Sequence, residues 1–294
     1  MKKKIPCVHS EDLLFDISLP IYVDYQDPQP EVSLHEHAFD ELVIVLAGTA
    51  IHLIDDQEYP IRTGDIFVVK RGSIHNYVTP VEFALVNIIF DAQKLDMDHW
   101  DVRELPGYHV LFSLEPAFRD RHQFRSRLTL KGSMFTRVSE MVTDMAAVVT
   151  DKGPGYRILT RALFMQLVIM LSKYYSESSK TETTDLLRLG DAIAYIENNY
   201  SETISSNQLA ELAHMTVRSF QRSFQRCMRM TPSQYIMQVR LRFATHLIKE
   251  SNFTLTQIAL ECGFSDSNYF SRTFSRTMGI TPSQYRTRVF DPGV

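Results

Sequence analysis

Cysteine is scarce in this 294-residue chain: three residues, at 7, 227 and 262, far apart. That number and spacing exclude a disulfide framework and a four-thiolate zinc site, and the three read as reduced thiols. Long uncharged apolar runs are also missing, so no segment reads as a membrane span. Lys2, Lys3 and Lys4 begin like a signal peptide, but Glu11, Asp12, Asp16 and Pro20 interrupt the apolar stretch that one requires. A cytoplasmic protein without a membrane partner is the expectation. A composition of 44% hydrophobic and 22% charged residues excludes disordered, collagen-like and coiled-coil classes. The length suggests two domains.

The net charge of −4 conceals a split. Residues 204–294 carry 11 Lys+Arg against 5 Asp+Glu, and the first 203 carry the remaining 20 against 30. An acidic front followed by a basic quarter points to two tasks, the second involving a polyanion. A solvated basic face is the bland alternative, so charge alone decides little.

Between about 31 and 90 the chain has strand character. Leu42 to Leu46 is an apolar run that Gly48 should end, Ile51 to Ile54 leads into a polar turn at Asp55–Glu58, and Ile66 to Val69 and Phe83 to Phe90 follow. Short strands with Gly, Asp and Asn punctuation indicate an antiparallel sandwich or barrel. Residues 91–131 carry mixed signals. From Met134 to Val149 apolar residues step by three and four, Gly153-Pro154-Gly155 interrupts, and a second helix follows over 156–175. Its apolar girdle is wider than one packing stripe needs, which suits either a buried helix or a dimer seam, with Leu163 and Met170 on its flanks. Ser176 to Thr184 has no apolar residue and reads as a linker.

The strongest signal is an internal repeat. Thr231-Pro232-Ser233-Gln234-Tyr235 recurs as Thr281-Pro282-Ser283-Gln284-Tyr285, and Phe220, Phe224, Arg226 and Met228 match Phe270, Phe274, Arg276 and Met278 fifty residues on. Leu209-Ala210 matches Ile258-Ala259 at an offset of 49, so the second copy has one extra residue near Gly263–Asp266. Each copy reads as helix, tight turn, helix. In the first, Leu209, Ala210, Leu212 and Ala213 point inward, and Thr216 caps a helix displaying Arg218, Ser219, Gln221, Arg222 and Gln225. In the second, Gly263 permits the turn, and Ser265 caps a helix displaying Ser267, Asn268, Ser271, Arg272 and Ser275. Faces of Arg, Gln, Asn and Ser with scarcely an acid suit base edges and phosphates of double-stranded DNA. A helix over 233–249, about 25 Å at 1.5 Å per residue, joins the units. Flanked by its neighbours, it could hold two recognition helices about one DNA turn, ~34 Å, apart. A purely protein-binding bundle is the competing reading.

Ile258-Ala259, then Gly263 through Arg272, Phe274, Gly279, Thr281-Pro282 and Tyr285-Arg286 resemble the signature of the AraC/XylS transcriptional activators over about 185–290. The resemblance implies two helix-turn-helix units, at 205–226 and 255–278, reading adjacent major grooves. Arg229 stands where the second copy has Gly279, which predicts a differently capped helix end. Asp266, at the mouth of a recognition helix, is a candidate contact to RNA polymerase rather than a base reader.

His35, His37 and Glu41 with Gly48, then Gly64, Gly72 and His75, resemble the two cupin motifs, with Lys70 where a proline is usual. In cupin enzymes such a set holds a divalent metal. In a regulator the same residues are expected to hydrogen-bond a sugar, and no metal is the expectation here. His52 ranks last among the candidates, as a half-buried strand residue. Glu41 to Val45, His75 and Asn87-Ile88-Ile89, together with Glu261-Cys262-Gly263-Phe264, look closest within the family to the rhamnose-responsive activators, which implies a monosaccharide effector and a homodimer.

The resulting expectation is an α+β chain with no catalytic residue. Residues 1–176 form a cupin-like β-barrel with appended helices, 177–184 a linker, and 185–294 an all-α domain of two helix-turn-helix units joined by a linker helix. The competing function is a metal-dependent cupin isomerase or dioxygenase carrying a DNA-binding appendage.

Overall fold

The computed structural model describes residues 6–8, 18–31, 33–119, 127–177 and 184–290. The chain divides into two compact units, one of residues 1–97 and 107–187 and one of residues 98–106 and 188–294.

The first unit is built on an antiparallel sheet. Strands β1 (Ile21–Gln26), β2 (Asp40–Ile54), β3 (Gln57–Arg62), β4 (Asp65–Val69) and β5 (His75–Phe90) run in the spatial order β1-β5-β2-β4. The short strand Leu128–Thr129 extends the far edge, and β3 pairs with the outer half of β2. Gly48 does not end a strand. β2 continues through it by register shifts between Val45 and Ile51, and Gly48 takes φ +70° there. A Cβ on it would lie 2.2 Å from the carbonyl oxygens of both Val81 and Glu82. These bulges reverse the facing of side chains. Val43 and Val45 point into the core before Gly48, and Ala50 and Ile54 do so after it, packed with Phe67, Tyr77, Phe83 and Leu85.

The described residues of 91–131, a stretch ambiguous in sequence, include short helical turns whose Val110, Leu111 and Leu114 are fully buried. Helices α1 (Gly132–Asp151) and α2 (Tyr156–Glu177) then pack on each other. α2 buries Phe164, Leu167, Val168 and Leu171 and leaves Ile158, Leu159 and Met165 exposed. Of the expected linker at 177–184, residues 178–183 lie outside the described residues.

The second unit holds α3 (Thr184–Asn199) from residue 188 onward, α4 (Ser206–Leu212), α5 (Val217–Met228), α6 (Pro232–Glu250), α7 (Leu255–Glu261), α8 (Ser267–Met278) and α9 (Pro282–Phe290). The repeated Thr-Pro-Ser-Gln motif explains itself. Thr231 caps α6 and Thr281 stands in the same relation to α9, each exchanging hydrogen bonds with the glutamine three residues on, while proline takes the first turn, where no N–H is needed. Phe220 and Phe224 are fully buried, as are Phe270 and Phe274 in the second copy. Leu212, expected inward, is 37% exposed. Burial pushes the thiols of Cys227 and Cys262 up to about 12, so neither is a reactive thiolate.

Residues 98–106 belong to this helical unit although they precede the sheet's own helices in sequence. Glu197 of α3, only 3% exposed, is their anchor. It accepts hydrogen bonds from Arg103 Nε and Nη2 at 3.1 Å, from the Tyr235 hydroxyl, and from Arg242. Arg103 also reaches the Tyr235 oxygen at 3.0 Å. Two guanidinium groups thus converge on one buried carboxylate, and removing Glu197 would leave both cations without it.

Candidate effector cavity and nucleic-acid interface

The inner face of the sheet opens at one end into a cavity of about 250 Å³. Four strand segments supply its polar walls. Asp24 and Gln26 come from β1, Glu41 from β2, His35 and His37 from the segment before β2, and His75, Tyr77 and Asn87 from β5. By the period-two rule, the odd-numbered His35, His37 and Glu41 are expected on one face of a strand region. They converge by a different route. Glu36–His37 is a separate two-residue strand, the chain bends at Ala38–Phe39, and β2 begins at Asp40. The His37 Nδ1 lies 2.8 Å from the Phe39 carbonyl oxygen, which fixes the ring across that bend. His35 and His75 pair through their backbones at 3.1 and 2.9 Å.

His37 Nε2 is 3.4 Å and His75 Nε2 3.6 Å from Glu41 Oε2. Burial works against charge on His37, but Glu41, the Phe39 carbonyl and Asp40 outweigh it and hold its pKa above the usual imidazole value. Burial, aided by His52, His35, His37 and Arg119, keeps His75 well below that value, so it is neutral. Burial and then Glu41 push the Tyr77 hydroxyl well above the ordinary phenol range, so it keeps its proton. Among the described residues, six buried polar atoms lining this cavity make no well-formed hydrogen bond: Gln29 Oε1, His37 Nε2, Glu41 Oε2, His75 Nε2, Tyr77 OH and Asn87 Oδ1, of which only the His37–Glu41 and His75–Glu41 atoms face each other as loose ion-pair contacts. Each such atom costs about 1–3 kcal/mol when left unsatisfied. A ligand rich in hydroxyls would satisfy several at once.

Of these residues, sequence reading singles out His35, His37, Glu41 and His75 and misses Gln29, Tyr77 and Asn87. Tyr77 was within reach, two residues from His75 on the same face of one strand. His52 is fully buried, not half-buried, and its Nε2 sits 3.3 Å from His75 Nδ1, behind the cavity wall. The bulge at Gly48 puts it there by switching even-numbered residues inward.

In the helical unit the two recognition helices are amphipathic as expected. Arg218, Gln221, Arg222 and Gln225 of α5 are exposed and Ser219 is half-buried. On α8, Asn268 and Arg272 are exposed, with Ser267, Ser271 and Ser275 half-buried beside them. Thr216 caps α5. The cap of α8 is Asp266 and not Ser265: its Oδ1 accepts the Tyr269 N–H at 2.7 Å, and Ser265 only donates to Asp266 at 3.3 Å. The inserted residue falls between the turn and this cap. The left-handed turn residues are His214 and Gly263, 49 apart, whereas the caps Thr216 and Asp266 are 50 apart. Gly263 is required twice over, by φ +76° and by the Ser201 carbonyl oxygen 2.4 Å from where a Cβ would stand. Arg229 ends α5 in the same left-handed conformation that Gly279 takes at the end of α8, so the expected difference in capping is one of residue, not geometry.

A ligand-sized cavity carrying several polar side chains in one unit and tandem helix-turn-helix motifs in the other define a ligand-binding DNA regulator. Residues 20–168 match the family model of the AraC-like ligand binding domain, and residues 209–288 that of a helix-turn-helix domain. The HTH-type transcriptional activator RhaR of Yersinia pestis bv. Antiqua (strain Angola) is 30% identical over 268 residues, 90% of this chain and 87% of that protein. The HTH-type transcriptional activator RhaS of Enterobacter sp. (strain 638) is 29% identical over 264 residues, 90% of either chain. A solved AraC-type regulator from Chromobacterium violaceum is 31% identical, covering 36% of this chain and 95% of its own, with a TM-score of 0.34. The chain belongs to the AraC family of DNA-binding transcription regulators. Its relatives carry the names of activators, which favours the regulator over the cupin-enzyme alternative. No helix among the described residues is long and apolar enough to cross a membrane.

Proposed function

We propose that this protein activates transcription in the cytoplasm in response to a monosaccharide held in the cavity between His37, Glu41, His75, Tyr77 and Asn87. The cluster of six buried polar atoms around one cavity that lack a well-formed hydrogen bond carries this reading. Such atoms supply both acceptors and donors, and a sugar presents both on every hydroxyl. Arg218, Gln221, Arg222 and Gln225 read one half of a DNA site, and Asn268 and Arg272, with the serines at 267, 271 and 275, read the other. The names of the relatives, activators of the RhaR and RhaS type, support the same assignment.

Two further elements belong to the proposal. The protein acts as a dimer through the outer face of α2, where Ile158, Leu159 and Met165 stand exposed. Leu163 and Met170, expected at the seam, are half-buried beside that face. Asp266, exposed at the mouth of α8, offers a negative charge to a basic surface of RNA polymerase while it caps the helix. The test is binding of genomic fragments by the purified protein with and without a panel of aldoses and deoxyaldoses. One sugar that shifts the affinity or footprint in the wild type, and needs a higher concentration in Asn87→Ala, supports the reading. No response to any small polyol would remove it.

A further inference from the structure

The two helix-turn-helix units differ in one buried group. Tyr235 meets Phe224 edge-on at 5.5 Å, and Tyr285 meets Phe274 in the same way at 5.5 Å. Each tyrosine thus braces an inward phenylalanine of its own recognition helix. The surroundings of the two rings are not alike. Tyr235 is 3% exposed and its hydroxyl donates to the buried Glu197 carboxylate at 2.5 Å, whereas Tyr285 is half-buried. Ser205 and Thr254, which cap the equivalent helices α4 and α7, are 49 residues apart, and at that offset the exposed His246 stands where Glu197 does. The buried carboxylate is therefore an addition to the first unit that the repeat itself does not require.

What that carboxylate receives is the segment 98–106. Arg103 uses every nitrogen of its guanidinium there: Nε and Nη2 donate to Glu197 Oε1, Nη2 also to the Tyr235 oxygen, and Nη1 to Asp98. The planar fork of arginine suits such a site, and a lysine ammonium, a point charge, fills it only in part. Two more contacts tie the segment to α3 and α6. Asn198 Nδ2 donates to the Glu104 carbonyl at 3.5 Å, and His99 Nε2 lies 3.4 Å from the Arg242 carbonyl. On either side of this strap the chain belongs to the sheet unit, where Met97 is 2% exposed. There Gly107 N–H donates to Ser176 Oγ of α2 at 3.0 Å, and a Cβ on Gly107 would lie 2.0 Å from the Ser172 carbonyl. Arg103 is thus four residues from backbone pinned to α2.

We infer that Arg103 is a positioning residue for the first recognition helix, holding α5 through Tyr235 and Phe224, so that the strap 98–106 sets affinity at one half of the DNA site only. Arg222 and Gln225, both exposed, stand on either side of Phe224 in sequence. Side chains that read bases do so only while their helix is held within about 0.5 Å of its productive position. Loosening Tyr235 costs contacts in the half-site under α5, while α8, braced by Tyr285, keeps its own. A movement of the backbone at Gly107 reaches α5 by the same route. The inference rests on the assignment of α5 and α8 to separate halves of the site, and it needs no effector.

The test uses the full-length chain on a duplex selected from genomic fragments, and on versions with one half scrambled. Arg222→Ala and Arg272→Ala first identify the half that each recognition helix reads. Arg103→Met keeps the apolar stem and removes the charge. It should weaken binding to the intact duplex about five- to tenfold, the scale of one lost base contact. Hydroxyl-radical protection should be lost in the Arg222 half alone, and on a duplex with that half scrambled the variant should bind like wild type. Arg103→Lys should recover part of the loss. Adding Tyr235→Phe to Arg103→Met should cost little more, because both act through one contact. Should Arg103→Met fail to fold, Tyr235→Phe alone, which keeps the ring on Phe224, should show the same split between halves. Equal loss of protection in both halves, or none, overturns the inference while the half-site assignment stands. If Arg222→Ala and Arg272→Ala do not separate the halves, that assignment fails and takes the inference with it.

Discussion

The Asp266 carboxylate caps the second recognition helix by accepting the Tyr269 backbone N–H at 2.7 Å, and in doing so it stays exposed at the helix mouth. That bond, opposed by desolvation and supported by Ser265, the Asn268 N–H and Arg272, lowers its pKa below the ordinary value of 3.8. A folded-state pKa below the unfolded one means the stabilisation is complete above pH 3.8 and is lost as pH falls through the lower folded value. Denaturant midpoints from pH 6 down to about pH 3 should therefore fall more steeply for wild type than for Asp266→Asn. Asp266→Asn should also lower transcription while DNA affinity holds, and a joint fall in both would remove the polymerase contact.

Arg222→Ala and Arg272→Ala should each cost about 1–3 kcal/mol on the specific site and relax base preference at one position. Lys249→Ala, exposed near the end of α6, should leave binding close to wild type. Anisotropy titrations on specific and scrambled duplexes separate these cases, and equal losses on both duplexes for all three would defeat the assignment of base readers.

Tyr77→Phe should act in opposite directions on stability and response. Its hydroxyl is buried without a partner, so deleting it should stabilise the ligand-free protein by about 1 kcal/mol. The same deletion removes a contact to the effector and should raise the concentration needed for half-maximal activation severalfold. Thermal melts with and without effector measure both effects.

Arg229→Gly should stabilise the helical unit. An L-residue in the left-handed region costs about 1–2 kcal/mol, and the added freedom of glycine in the unfolded chain returns about 0.5–1 kcal/mol of that. A net gain of about 0.5–1 kcal/mol in urea unfolding is expected. Gly263→Ala should instead destabilise strongly, because its Cβ would collide with the Ser201 carbonyl.

Ile158→Glu/Met165→Glu lies on an already exposed face of α2, so the fold should tolerate it. Sedimentation should show a monomer with unchanged helicity and weaker binding to paired half-sites. A dimer that persists would place the seam elsewhere.

The helical unit was the more legible half because its information is local and written twice. The repeat located both helix pairs, and the offset of 49 against 50 located the extra residue to within the turn. Capping was misread at Ser265 because an adjacent Ser-Asp pair offers two equivalent caps, and only backbone direction chooses between them. In the sensor, motif spacing found His37, Glu41 and His75, yet strict alternation failed at Gly48. A bulge has no periodicity of its own, so the sequence reads His52 as half-buried where the structure buries it fully. Asn87 lies inside the apolar run from Phe83 to Phe90, where a polar side chain declares its role only once the opposite strand is placed. Residues 98–106 gave nothing, since their anchor, Glu197, lies almost a hundred residues away.

That last segment bears on how this protein can be taken apart. The chain passes from the sheet unit to the helical unit at 98, back at 107 and over again at 188, so the units are threaded rather than strung in series. A fragment beginning near 185 would carry Glu197 and Arg242 without Arg103, so the buried carboxylate would lose two of its hydrogen-bond donors. A hybrid regulator made by a single splice would inherit the same fault, with the arginine of one parent facing the glutamate of another. Grafting a foreign sensor onto these recognition helices calls for two exchanges, with residues 98–106 travelling with the DNA-binding half.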